Sequence, residues 1–254
     1  EVFLPGGVKE RAISPSGASV GKNEATERRD KENYFLGKSV LRNIDYINND
    51  LKNAIVGMNV EDQKAIDEKI IEIDGTKNKS FLGSNTTISI SMAVLKAAAK
   101  SNKKPLWNYL AKKEIMLLPL PEIQIIGGGL HAKGSISIQD FLIIPNGAPN
   151  FITALEWVYK VYNKANELLL EKGLFRGVAD EGGFWPSFNT NEQIIEFVTE
   201  SICKAGFKPY KEISISLDLA ANNFRVKEGY KLEFDTISGD DILSKILDWI
   251  KKYP

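Results

Sequence analysis

Several short stretches carry side chains able to do chemistry. Val178-Ala179-Asp180-Glu181-Gly182-Gly183-Phe184-Trp185-Pro186 sets two adjacent carboxylates on a glycine pair, closed by two aromatics and a proline. Such glycines permit backbone angles closed to other residues and leave no side chain to block a ligand. A carboxylate on that hinge, after a short apolar run, is placed like a reactive group at the rim of a scaffold. Asp and Gly are also ordinary turn residues, so a plain polar turn is the competing reading. His131, the only histidine, follows Gly127-Gly128-Gly129, where exposed backbone N–H groups suit a ligand. A lone histidine is usually a packed or surface residue, and the three glycines bring the two readings level. Asp140, within Gln139-Asp140-Phe141-Leu142-Ile143-Ile144, and Asp218, within Ile215-Ser216-Leu217-Asp218-Leu219, are costly to bury unless something pairs with them. Carboxylates at strand ends without basic partners suit a hard divalent cation such as magnesium; a salt bridge to Lys or Arg is the alternative. Spacing alone gives a carboxylate-lined pocket.

The elements that must position these residues alternate between strand and helix. Ile123–Ile126 reads as a short apolar strand and Ile136–Pro145 as a second, apolar enough at its end for burial on both faces. Asn150 caps a helix over 151–171 whose inward row is Ile152, Leu155, Val158, Val161, Ala165 and Leu168. Asn189 or Thr190 starts another, with Ile194, Ile195, Val198 and Ile202 inward. A strand over 213–220, a hairpin-like insertion over 224–234 and a helix over 239–252 follow. Polar residues collect at strand ends, the layout of a β/α barrel. The strands are too few to close one.

The first half has a different texture. Residues 1–4 and 8–14 read as two strands about Pro5-Gly6-Gly7. Pro15-Ser16-Gly17-Ala18-Ser19-Val20-Gly21 is a small-residue loop whose hydroxyls, Ser16 and Ser19, are able to close over a charged ligand. Three-four spacing predicts helices over 35–56 and 61–73, and another running from Gly83-Ser84-Asn85-Thr86 to about Lys100, with Ile88, Met92, Leu95 and Ala99 inward. A short helix follows Pro105. The reading is an α+β unit over 1–115 and the first part of a β/α barrel over 116–254.

Composition narrows the function classes. An apolar share of 43% with 26% charged residues is that of a globular protein with a real core. Thirty-three basic residues balance thirty-three acidic ones, so no net field favours nucleic acid or a membrane surface. Cys203 is the only cysteine, which excludes an internal disulfide and a cysteine-based zinc site and fits a reducing compartment. No apolar run approaches the roughly 18 residues needed to span a bilayer. The start has no signal-peptide pattern, and the absence of an initial methionine leads us to expect a segment upstream.

Taken together, the motifs resemble the enolase family in order and across the whole chain. Pro15-Ser16-Gly17-Ala18-Ser19 resembles its mobile metal-binding loop. Asp74-Gly75-Thr76 with Asn78-Lys79-Ser80, Gly83 and Asn85 resembles the run before its long cap-domain helix. Gly128-Gly129, His131-Ala132 and Gln139 resemble its first two barrel strands, Asp180-Glu181-Gly182-Gly183-Phe184 with Pro186 its general-acid loop, and Asp218 with Ala220-Ala221 its first carboxylate metal ligand. The resemblance implies an α+β cap domain followed by an incomplete β/α (TIM-type) barrel that opens with an antiparallel pair. It implies reversible dehydration of 2-phosphoglycerate to phosphoenolpyruvate with Mg2+ in a cytoplasmic homodimer. Glu181 would help the β-hydroxyl leave, with Asp140 in the neighbouring acidic position. His131 and Gln139 would line the pocket of this small phosphorylated acid. Asp218 would hold one metal and Ser19 a second. Ser19, Asp140, Glu181 and Asp218 are then expected to converge on one cavity.

Departures from the family pattern are concentrated in the same place. Asp140 stands where the family has glutamate, and its carboxylate reaches about an ångström less far. Gly127 replaces an asparagine, Leu130 a serine, Lys133 a glycine and Trp185 an alanine. The strands that would bring the remaining metal carboxylates, the lysine base and the phosphate-binding residues are not in these 254 residues, so the chain alone is expected to be inactive. A paralogue with an altered substrate, such as a phosphonate, and a non-catalytic binding protein on the same scaffold are the alternatives.

Overall fold

In the computed structural model, residues 1–17, 20–31, 34–111, 117–132 and 136–253 are described. The chain divides into two compact units, Glu1–Met116 and Leu117–Pro254.

The first unit opens with a hairpin, β1 (Val2–Phe3) and β2 (Lys9–Glu10), antiparallel about Gly6 and Gly7. The strand expected to reach Ser14 is paired only as far as Glu10, opposite Val2. The helix expected from Phe35 begins only at Leu41, as α1 (Leu41–Tyr46), and passes through a π turn at Ile47–Leu51 into α2 (Lys52–Ile55). Its start is set from a distance: the Asp30 carboxylate accepts the N–H groups of Leu41 and Arg42 at 2.6 and 3.2 Å. A remote carboxylate thus satisfies first-turn donors that the local sequence leaves open. Helix α3 (Gln63–Asp74) ends at Gly75, whose φ of 63° gives the left-handed cap. Helix α4 (Ser84–Ser101) and the short α5 (Leu106–Leu110) complete the unit.

The inward face of α4 differs from the expectation. Ile88 and Met92 are exposed, whereas Ile90, Ala93, Val94 and Ala97 are buried. Ile90 and Val94 pack with Leu51, Ile66, Ile70 and Leu82. Apolar residues cover most of the circumference of this helix, so its periodicity did not single out the buried stripe.

The second unit is built on one five-stranded sheet in the order β5-β6-β3-β4-β7. Its strands are β3 (Ile123–Gly127), β4 (Asp140–Ile144), β5 (Phe175–Val178), β6 (Phe184–Pro186) and β7 (Ser214–Asp218). The antiparallel opening pair is present as β3 and β4; β4 also runs antiparallel to β7, and β3 is parallel to β6. Only Asp140 onward joins the ladder. Residues 136–139, expected as strand, are a buried bend whose Ile138 N–H is held by the Asn191 side chain at 3.2 Å. Their backbone still bonds to both sides, with Gln139 N–H donating to Asp218 O at 3.1 Å and Gly128 N–H to Gln139 O at 2.7 Å, but the bend keeps them out of the regular ladder.

Helices α6 (Phe151–Glu171) and α7 (Asn191–Lys204) pack on the sheet. Asn150 caps α6 through the Thr153 N–H at 2.9 Å, and Thr190 with Gln193 forms a capping box on α7. Ile125, Ile126, Phe141 and Ile143 meet Val161, Ala165 and Leu169 of α6 and Ile194, Ile195, Val198 and Ile202 of α7 in one core. The α6 stripe starts later than expected: Ile152 and Leu155 are exposed. The predicted hairpin insertion is a three-stranded meander, β8 (Arg225–Val226), β9 (Gly229–Leu232) and β10 (Asp235–Ile237), before α8 (Gly239–Lys252). This is an open arc of a β/α barrel, with the predicted polar residues on one rim.

Candidate active site

Strand direction explains how residues from the start of one strand and the end of another share that rim. Because β4 runs against both neighbours, its first residue lies level with their last ones. Asp140 pairs in register with Gly127 of β3 and with Asp218 of β7. Asp140 is 4% exposed, and its two oxygens accept from Gln124 Nε2 and, at 3.2 Å, from Gln139 Nε2. The same Gln139 amide reaches Asp218 Oδ2 at 3.4 Å, while Asp218 Oδ1 accepts the Ala220 N–H at 3.0 Å. Asn223 in turn donates to Gln139 Oε1 at 3.2 Å. Among the described residues, no Lys or Arg forms an ion pair with Asp140, Asp180, Glu181 or Asp218. The salt-bridge alternative therefore has no support in that set, and carboxylates that are hydrogen-bonded but lack an ion-paired Lys or Arg fit a hard cation.

Asp180 and Glu181 occupy the turn between β5 and β6. Ala179 N–H donates to Gly183 O at 2.8 Å and Gly182 N–H to Ala179 O at 3.0 Å. The φ of +96° at Gly182 lies in the region that disfavours a Cβ. Tyr162 of α6 anchors the turn, donating from its hydroxyl to Gly182 O at 2.8 Å, and burial pushes the phenol pKa up. The polar turn and the reactive rim are thus the same object.

His131 sits in a 3-10 turn, Gly129–Ala132, with its side chain 3% exposed. Its Nε2 lies 3.6 Å from Glu181 and its Nδ1 3.9 Å from Asp180, too long for hydrogen bonds. Neither nitrogen has a hydrogen-bond partner among the described residues. Burying an imidazole this way is costly, which points to a ligand that supplies the partner. Ligand atoms of His131, Asp140 and Glu181 lie within 4.8 Å of one another.

The structure therefore brings together His131, Gln139, Asp140, Glu181 and Asp218. Ser19 and Lys133 lie outside the described residues. Ser16, the other candidate loop hydroxyl, donates to Glu27 at 2.8 Å. Leu130 is exposed beside His131, and Trp185 pairs with Gly177 across β5 and β6. Sequence reasoning missed Gln124, Tyr162 and Asn223. Gln124 left one trace, a lone polar residue in the run Ile123-Gln124-Ile125-Ile126.

Comparison with known proteins agrees with this arrangement. Residues 1–110 match the family described as enolase, N-terminal domain, and residues 115–254 match enolase, C-terminal TIM barrel domain. The chain belongs to the enolase family. It is 43% identical over 259 residues to Enolase 1 of Desulfitobacterium hafniense (strain Y51), covering 100% of this chain and 59% of that protein. It is 42% identical over 240 residues to the enolase of Ehrlichia canis (strain Jake), covering 93% of this chain and 57% of that one. The chain thus spans less than two-thirds of the length of either enolase. The cap-and-barrel architecture implied by the motifs is the one that the two enolase domains describe.

Proposed function

We propose that the complete protein is a phosphopyruvate hydratase, a lyase that reversibly dehydrates 2-phosphoglycerate to phosphoenolpyruvate with magnesium in glycolysis. The observation that carries this reading is the cluster of His131, Asp140 and Glu181 next to Asp218, inside an enolase-family barrel arc. Glu181, half exposed on its turn, hands a proton to the departing β-hydroxyl, which leaves as water. Asp140 is the second acidic group beside that oxygen. His131 lends the substrate a ring nitrogen with no competing partner, and Gln139 fixes both aspartates while lining the pocket. Asp218 and, from the loop, Ser19 would hold magnesium. Bound there, the ion supplies positive charge against the negative charge that develops when a proton next to a carboxylate is removed. The family resemblance implies a lysine base on a later barrel strand, to which we assign proton removal. The 1–115 and 116–254 division is read as cap and barrel portions. No helix of the described residues is long and apolar enough to cross a membrane. A cytoplasmic homodimer acting on a small solute is what the family resemblance implies.

The test compares the 254-residue chain with the polypeptide as encoded at full length. With 2-phosphoglycerate and Mg2+, the full-length protein is expected to form phosphoenolpyruvate and the 254-residue chain to form none. A silent full-length protein that instead turns over a phosphonate analogue would move the assignment to an altered-substrate paralogue, the reading that Leu130 beside His131 favours. Turnover by the 254-residue chain would sink the claim that it is insufficient.

A further inference from the structure

We propose that Gln124 is a positioning residue of this site, setting the reach of Asp140 and the placement of the Glu181 turn at once. This inference rests on the function proposed above.

Gln124 is 6% exposed on β3, and its amide is used at both ends. Oε1 accepts the Gly183 N–H at 2.8 Å; Nε2 donates to Asp140 Oδ1. One planar amide therefore bridges the turn that carries Glu181 and the strand that carries Asp140. Since Gln139 holds the other Asp140 oxygen and also Asp218, a continuous hydrogen-bonded line runs Gly183, Gln124, Asp140, Gln139, Asp218. Fully paired buried polar networks fix geometry, because any break leaves a desolvated group without a partner.

Two glycines make room for this amide. A Cβ on Gly183 would meet Gln124 Oε1 at 2.4 Å. A Cβ on Gly127 would meet Gln124 Nε2 at 3.3 Å and the Ala179 Cβ at 2.4 Å. Gly127 is also the residue that pairs with Asp140. Asparagine, the family residue there, would need the space that the Gln124 side chain and Ala179 occupy. The departures Gly127 and Asp140 thus belong to one arrangement: a longer amide arriving from β3 meets a shorter carboxylate on β4.

The test uses the polypeptide as encoded at full length, with Q124L, Q124N, D140E and the double variant Q124N/D140E. Q124L and Q124N are expected to lower kcat on the order of ten- to a hundredfold, the usual effect of misplacing a reacting group by about an ångström, with KM changed less than threefold. The double variant returns one methylene to the carboxylate and removes one from the amide, so it is expected to recover most of the kcat lost in Q124N. A purely structural role for Gln124 would give no such reciprocal rescue. His131 ring resonances, assigned by their loss in H131Q, are read on every variant, because displacement of Asp140 changes their surroundings. They are expected to shift in Q124L and Q124N and to return toward wild type in the double variant. Unchanged His131 resonances, or kcat within twofold of wild type in Q124N, would overturn the inference. Absence of 2-phosphoglycerate turnover with the shift and its rescue intact would overturn the proposed function and leave the positioning role standing.

Discussion

Asp140 and Asp218 stand directly opposite each other on antiparallel neighbours, and one amide, that of Gln139, donates to both. Like charges directly opposite on neighbouring strands repel. With no ion-paired Lys or Arg at either residue among those described, a divalent cation is the natural counter-charge. Adding Mg2+ is expected to raise the thermal midpoint, with stabilisation of about 2.7 kcal/mol at a hundredfold excess over Kd. D218N removes one of the two charges, so it is expected to match or exceed wild type in EDTA and to lose the magnesium response. Identical melting curves for the two proteins with and without metal would discard Asp218 as a ligand.

Glu181 invites a different test because it contributes so little to the fold. Its side chain is 52% exposed and its one ionic neighbour among the described residues is His131 at 3.6 Å. E181Q in the full-length protein is expected to keep the wild-type thermal midpoint within about a degree or two, as surface changes away from special features do. Its kcat for 2-phosphoglycerate is expected to fall about 10²- to 10⁴-fold, the usual worth of a positioned proton donor. A loss below about tenfold would assign the acid role elsewhere.

Much of this candidate site is legible in the sequence, and the reason is chemical expense. Asp140 interrupts an apolar run and is buried there, whereas Asp218, expected to be as costly, stands exposed at the end of β7; Asp180-Glu181 rides on glycines that only a special turn requires. Such residues announce themselves one at a time. Gln124 does not, since an amide among isoleucines carries no formal charge, and its meaning depends on register. Only when Gly127 pairs with Asp140, and the 179–183 turn folds over β3, does it touch both partners. Caps followed the same division. Thr190 and Asn150 are local to their helices and legible, whereas α1 takes its cap from Asp30, eleven residues before Leu41. The α4 stripe was missed because its apolar residues surround the helix, and α3 with Leu51 selected the face.

The glycine pair separates two kinds of constraint within one turn. At Gly182 nothing lies within 4 Å of an added Cβ, but φ is +96°. G182A is therefore expected to cost about 1–2 kcal/mol of stability, the conformational penalty alone, with modest effect on turnover. At Gly183 an added Cβ would meet the Gln124 Oε1, Cδ and Cγ atoms at 2.4, 2.8 and 2.8 Å. Because G183A must displace that side chain, and with it the bond to Asp140, kcat is expected to fall at least tenfold further than in G182A. Denaturant titration and kinetics on both variants decide it; equal kcat losses would mean that the Gln124 contact has no catalytic consequence.

Acid sensitivity of the first unit should trace to Asp74, which is 3% exposed. Burial raises its pKa, but hydrogen bonds from the Thr76 hydroxyl, the Leu82 N–H at 2.7 Å and the Thr76 N–H at 3.0 Å outweigh burial and hold it below the ordinary aspartate value. The folded state therefore binds this proton less readily than the unfolded chain. Its contribution is complete above about pH 4 and is lost as pH falls through the depressed folded value. D74N leaves the Leu82 and Thr76 donors with a weaker acceptor and is expected to cost about 1–3 kcal/mol near neutral pH. That gap between wild type and variant is expected to narrow steadily below about pH 4, where wild-type Asp74 takes up its proton. Urea titrations across that range measure it directly, and a gap that stays constant with pH would remove Asp74 as the acid-labile group.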